Sequence, residues 1–332
     1  MKLSDIGEFA FIDHFASMFS GGLQQGILGI GDDCAVLPLG DQKVGLVTTD
    51  MLIEDSHFLR NHIPPEDLGY KSLAVNLSDI AAMGGKPLYA FLSLGLPADV
   101  EVSWMDMFFT GMHDLCRETG VQLLGGDTTK SPNNLIVNLL VIGEAAAEAV
   151  KFRSSAKTGD LICVTDNLGD SGAGLRLILE NKIITAEEDI LVNRHYRPRA
   201  HLEEGLLLAG FPGVHAMMDV SDGIDSDLHR IMEKSGCGAR VAIRQLPCSE
   251  SLREACDQHR WDMHELAATG GEDYCLLCTV DPKAYPSISG AFSSAFRREL
   301  TVIGEITARR GLHYYDGKKK IKLTGHGFDH FA

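Results

Sequence analysis

Apolar and polar positions along the chain separate into helical and strand periods, and the period sets most element assignments. Ile6, Phe9, Ile12, Phe15 and Phe19 recur on one stripe, and Asp5 and Glu8 stand at capping-box spacing, so a helix is predicted over 4–19. Val44–Thr48 reads as a strand with Thr49 and Asp50 at its end. A helix should begin after Pro64–Pro65 and run to Met83, where Gly84–Gly85 stop it. Another spans about Val102 to Thr119, followed by a short strand over Val121–Leu124, a turn over GGDTTKS, and a strand over Leu135–Ile142. EAAAEAV (Glu144–Val150) lacks strand alternation and marks the candidate domain boundary. Beyond it, the LICVT strand is followed by helices at Gly172–Glu180 and Arg199–Ala209. His215–Val220 is extended, a helix covers Ser226–Ser235, and DYCLLCTV and TVIGEI are strands. The mixture predicts an α+β (mixed α/β) protein of two domains, residues 1–146 and 147–332. A length of 332 residues suits two cores better than one.

The second helix carries an internal signal. Ser72, Asn76 and Asp79 fall within about 60° of one another, while Leu73, Leu77, Ile80 and several alanines cover much of the rest. A helix apolar over most of its circumference is buried, so its polar stripe should face a lined cavity.

Composition narrows the chemistry. The 30 basic and 46 acidic residues leave a net charge of −16, which argues against nucleic acid as a partner. No apolar run approaches the ~20 residues of a membrane span, and MKLSDIGEFAFIDHF lacks the features of a signal peptide, so a cytoplasmic location is expected. The eight cysteines are scattered. The one CxxC, Cys275 and Cys278, lies in a predicted strand and lacks the further ligands of a zinc site.

The acids gather in short motifs beside glycine, serine or threonine: Asp32 and Asp33 in GIGDD, Asp50 in TTD, Asp79 in NLSD, Asp127 in GGDTT, Asp219 and Asp222 in DVSDG, and Glu272 and Asp273 in GGED. Singly, each reads equally well as a cap or turn residue; together they read as a set. Converging carboxylates need a cation, and oxygen donors without a His/Cys set suit Mg²⁺, Mn²⁺ or Ca²⁺. DVSDGIDSDL does not meet the spacing of a calcium loop, which favours Mg²⁺ shared with substrate phosphates. The P-loop frame, the dinucleotide fingerprint, HExxH and GxSxG are all absent.

GIGDDCAVL, TTDMLIEDSHF, YKSLAVNLSDIAAMGGKP, GGDTT, DVSDGIDSDL, GGEDYCLL and the terminal GFDHFA occur in that order. In this the chain resembles the thiamine-monophosphate kinase family over nearly its whole length. The resemblance implies the fold shared with aminoimidazole ribonucleotide synthetase, selenophosphate synthetase and a hydrogenase-maturation factor: an N-terminal α/β domain pairing with its twin in a dimer barrel, and a C-terminal α+β domain completing the site. It implies a homodimer that passes the γ-phosphate of ATP directly to thiamine monophosphate, with several Mg²⁺ ions and no covalent nucleophile. Carried over by motif, Asp33, Thr48, Thr49, Asp50, Asp79, Asp127, Asp219 and Asp222 would hold metal, some through water or backbone oxygen. Gly126, Asp127, Arg153 and Ser221 would meet ATP, and His57, Glu272 and Phe328 the thiamine phosphate. Phe109 stands where relatives often carry tyrosine. A selenophosphate synthetase would want a cysteine ahead of the first acidic motif, and the hydrogenase-maturation relative would end in cysteine; neither fits. A metal-stabilised binding module without catalysis is the alternative from another class.

Overall fold

The computed structural model describes residues 5, 7–182 and 185–325. The N-terminal part contains α1 (Gly7–Ser20), β1 (Ala35–Gly40), β2 (Lys43–Ile53), α2 (Pro65–Ala82), β3 (Lys86–Leu96), α3 (Val102–Thr119), β4 (Gln122–Lys130) and β5 (Ile136–Ala146). The C-terminal part continues with β6 (Leu161–Val164), α4 (Asp170–Leu179), α5 (Ala186–Tyr196), α6 (Leu202–Ala209), β7 (Val214–Asp219), α7 (Ile224–Ser235) and β8 (Gly238–Ala242). It ends with α8 (Glu250–His259), α9 (Met263–Thr269), β9 (Leu276–Val280), α10 (Tyr285–Phe296), β10 (Thr301–Thr307), β11 (Gly311–Asp316) and β12 (Lys319–Ile321). The first set forms a five-stranded sheet ordered β1-β2-β5-β3-β4, antiparallel except for the β3/β4 pair that α3 connects. The second forms a seven-stranded sheet ordered β12-β11-β8-β10-β6-β9-β7. The expected α+β architecture with two sheets is present.

Several local expectations needed correction. Asp50 does not end its strand: β2 runs three residues further, paired residue by residue with β5 through Ile53. GGDTTK is not a turn but the body of β4, aligned in parallel on β3. Its Gly, Asp and Thr content mimics a turn, and the pairing that makes it a strand is non-local. Residues 86–96 and 186–196, for which no element was predicted, form β3 and α5. The EAA of EAAAEAV belongs to β5, where burial still alternates through Ala145. The helix predicted over 4–19 is α1, whose described residues start at Gly7.

α2 is the structural centre. Thirteen of its residues are buried, among them Leu73, Leu77 and Ile80. One side covers β2 and β5, and the other meets α6 and β7 of the second half. α2 and α3 cross at almost backbone contact: a Cβ on Gly69 would lie 1.8 Å from the Phe108 carbonyl oxygen, and one on Gly111 1.8 Å from that of Glu66. Only hydrogen fits at either position.

The other face of the first sheet is apolar and incompletely covered. Met51, Tyr89, Phe91 and Leu123 are exposed, as is every residue of β4. On α1, Ile12, Phe15, Met18 and Phe19 are exposed too.

Gly111→Ala should therefore force α2 and α3 apart, costing about 2–3 kcal/mol and lowering Tm by roughly 5 °C or more. An unchanged melting curve would contradict the close crossing.

Candidate active site

The acids converge where α2 meets both halves. Asp79 extends from the last turns of α2 and accepts a hydrogen bond from the Thr48 hydroxyl of β2. Asp219 ends β7, and its Oδ2 accepts from Ser78 Oγ at 2.6 Å. Asp33 follows the GIG loop, buried beneath Arg153. One oxygen from each of Asp33, Asp79 and Asp219 lies within 4.8 Å of the others. Asn76, from the predicted polar stripe, accepts from the Asp50 backbone N–H at 3.0 Å and so fixes β2 against α2.

Burial and mutual repulsion act on these groups together. Burial, then the charges of Asp33 and Asp222, push Asp50 up to about 6. Burial and Asp33 push Asp219 up to about 7. Asp79 is raised well above the usual carboxylate range by burial, Asp50 and Asp219. Such a cluster, all oxygen and short of cations, suits a hard divalent ion.

Arg153 is a cation fixed at the cluster. Arg153 Nε donates to Asp33 Oδ2 at 3.2 Å and its Nη2 to Asp33 Oδ1. The Arg153 backbone N–H donates to Asp32 Oδ2 at 3.2 Å. Asp32 thus braces the Arg153 turn, and burial with Asp33 close by raises it to about 7.

Strand register separates the remaining candidates. Thr48 and Asp50 share the α2 face of β2, while Thr49 faces the other way. There its hydroxyl donates to the Leu139 carbonyl at 2.8 Å and accepts from Asn138. Met51, Asn138, Ser93 and Asp127 lie in one cross-strand row, so Asp127 is on that same outer face. Gly126 pairs with Leu92 in the neighbouring row, where φ is 155° and a Cβ would meet the Leu92 carbonyl oxygen at 1.6 Å. Within one chain the side chains of Thr49 and Asp127 do not join the cluster.

Beside the acids opens a cavity of about 640 Å³. Asp50, Ser221 and Asp222 line it together with His57, Glu272 and apolar side chains including Leu59, Ile63, Leu175 and Ile178. His57 Nδ1 accepts from the Ile53 backbone N–H at 3.0 Å. The GGED loop is laid against DVSDG by hydrogen bonds from Glu272 N to the Ser221 carbonyl, 2.7 Å, and from Tyr274 N to that of Val220, 2.8 Å. Glu272 and Tyr274 have φ of 63° and 50°, a left-handed conformation that non-glycine residues adopt at a cost where a site requires it. Phe328 lies outside the described residues.

Sequence reasoning missed Lys71, Ser78 and Asp227. Lys71 is fully buried on α2 and pairs with Glu272 at 3.0 Å. Its signal was a lysine on a helix otherwise apolar nearly all round. Asp227 is buried behind Asp219 and Asp222 and is raised well above the usual range by burial and by those two acids.

These two halves are the two domains of AIR synthase related proteins: residues 31–145 match the N-terminal domain of that family and residues 157–316 the C-terminal domain. The thiamine-monophosphate kinase of Escherichia coli K12 is 39% identical over 337 residues, covering 98% of each chain. That of Aquifex aeolicus is 34% identical over 332 residues, covering 100% of each. The solved structure of AaThiL complexed with AMPPCP and TMP superposes with a TM-score of 0.88 at 33% identity over 99% of each chain. The chain belongs to the thiamine-monophosphate kinase family.

Because the cluster repels itself, Asp50→Asn in chelator-treated protein should hold or raise Tm, since a buried amide replaces a group pushed towards neutrality. A fall of several degrees would show that Asp50 has a favourable partner in the metal-free protein.

Proposed function

We propose that the chain phosphorylates thiamine monophosphate with ATP, giving thiamine diphosphate and ADP. The observation that carries this reading is the contact between cavity and acids: Asp50, Ser221 and Asp222 line a space large enough for a small phosphorylated heterocycle. Relatives named thiamine-monophosphate kinase and a solved relative holding AMPPCP and TMP support it. An oxygen of the acceptor phosphate forms the new bond to the γ-phosphorus as the bond from that phosphorus to the β-bridging oxygen breaks. The acceptor oxygen is already anionic, so no protein nucleophile is needed. What the protein supplies is in-line positioning of two anions.

Mg²⁺ fits the site: the donors are oxygens, three of them are close enough to share an ion, and burial leaves the carboxylates under-compensated. Asp33, Thr48, Asp50, Asp79, Asp219 and Asp222 would hold it, with Thr49 contributing through its backbone. Bound there, it would neutralise phosphate charge during transfer. Arg153 and Ser221 would meet ATP, and His57, Glu272 and Phe328 the acceptor.

We further propose that residues 1–146 form the nucleotide, metal and dimerisation domain and residues 147–332 the domain that completes the site. The exposed apolar face of the first sheet supports a homodimer. The same face carries Asp127 on β4, with the backbone of Gly126 beside it, so these two would reach nucleotide or metal from the dimer side. No described helix is long and apolar enough to cross a membrane; a cytoplasmic location suits the ATP requirement.

The test is formation of thiamine diphosphate from thiamine monophosphate, ATP and Mg²⁺. Asp79→Asn should lower kcat at least about 100-fold and excess chelator should abolish turnover, the order expected when a phosphoryl-transfer charge clamp is lost. Full activity in chelator, or near-native turnover of folded Asp79→Asn, would overturn the metal assignment. Light scattering should give twice the chain mass; a monomer at micromolar concentration would refute the dimer.

A further inference from the structure

Behind the cavity wall stands a polar chain that phosphoryl transfer does not explain. Lys71 Nζ lies 3.0 Å from Glu272 Oε1 and 3.1 Å from Oε2. His195 Nδ1 lies 3.2 Å from Glu272 Oε2 and 3.0 Å from Ser171 Oγ. The Lys71 side chain is 1% exposed and that of Glu272 24%, so the lysine stands behind and the carboxylate in front, towards the cavity that both line. His195 is pushed down to about 3 by burial and by Lys71, which leaves it neutral. Burial pushes Glu272 up, but the Lys71 ammonium beside it outweighs burial and holds the group below its usual range.

Lone pairs show what the arrangement leaves over. A carboxylate offers about four acceptor sites. Lys71 takes one on each oxygen, so Oε1 keeps one for a ligand. Position shows which part of a ligand meets it. Lys71 and Ser78 lie seven residues apart on the α2 face that meets the C-terminal half, about 10 Å along the axis. Ser78 holds Asp219 of the acid cluster. A ligand with its phosphate at the acids therefore presents its other end to Glu272 across the cavity they share.

We propose that Lys71 is a positioning residue for the acceptor: it holds Glu272 in front of the cavity so that Oε1 accepts a hydrogen bond from an amino group on the heteroaromatic end of the acceptor. The inference rests on the proposed kinase reading and adds a specificity element to it. His195, whose Nδ1 is bonded to Ser171 Oγ, packs against the same carboxylate. Lys71 itself touches no reacting atom.

The test compares thiamine monophosphate with oxythiamine monophosphate, in which an oxo group replaces the pyrimidine amino group. Wild-type protein should prefer the amino compound by at least tenfold in kcat/KM. Lys71→Met and Glu272→Gln should each raise KM for thiamine monophosphate at least tenfold, keep KM for ATP within twofold, and reduce the preference to less than threefold. The double variant should be no worse than the worse single one, because Lys71 acts through Glu272. If Lys71→Met fails to fold, the loss of preference in Glu272→Gln decides. An intact preference in the variants, an unchanged KM, or equal weakening for both substrates would overturn the inference while wild-type turnover leaves the kinase reading standing. Absence of product from wild-type protein would sink both.

Discussion

Several carboxylates are buried at the junction of the two halves of this molecule, and the surroundings are arranged around that cost. Asp33 comes from a glycine-rich loop, Asp50 from β2 and Asp79 from α2, all in the first half, and Asp219 from β7 joins them only when the two halves dock. An isolated buried carboxylate is among the costliest groups a protein can carry. Here single hydrogen bonds from Thr48 and Ser78 and one guanidinium offset part of that cost. The remainder appears as acids held far above their ordinary range. A site left under-compensated by its own protein is one that gains much from a cation arriving with phosphate.

Docking is enforced where the acids meet. A Cβ on Gly205 of α6 would lie 2.3 Å from the Ala81 carbonyl oxygen, and one on Gly84 2.3 Å from the Ala209 Cβ. Small residues thus let α2 and α6 approach until backbone nearly touches backbone, which fixes the distance between the halves. Ser78–Asp219 and Lys71–Glu272 then span the same seam with polar contacts. The helix that closes the core is therefore the helix that builds the site.

This explains what could be read from the chain. The polar stripe of α2 was legible because an apolar background makes Ser72, Asn76 and Asp79 stand out, and the helical period is local. α3 was legible from end to end because Gly120, at φ 76°, ends it. Of β4 only the start, within the predicted Val121–Leu124, was legible, because the rest of an exposed edge strand rich in Gly, Asp and Thr has no local pattern to distinguish it from a turn. The face of each site residue was equally hidden. A strand alternates every residue, so whether Thr49 or Asp50 reaches the acids depends on register with β5 and the position of α2. Motif membership places a residue near a site without saying towards which side of the sheet it points.

The same distinction bears on substrate choice. Acids at one end of the cavity can recognise any phosphate that brings a cation, so they cannot discriminate among phosphorylated acceptors. Discrimination has to come from groups at a fixed distance from them, held on an element that does not bend. α2 meets that requirement, since Asp79 and Lys71 are eight residues apart on one buried helix, about 12 Å. A shorter acceptor would leave Glu272 with an unfilled acceptor site, and one without a donor at that distance would desolvate the carboxylate for nothing. Rigid burial of α2, which creates the electrostatic difficulty at one end, is what makes a length-sensitive reading possible at the other.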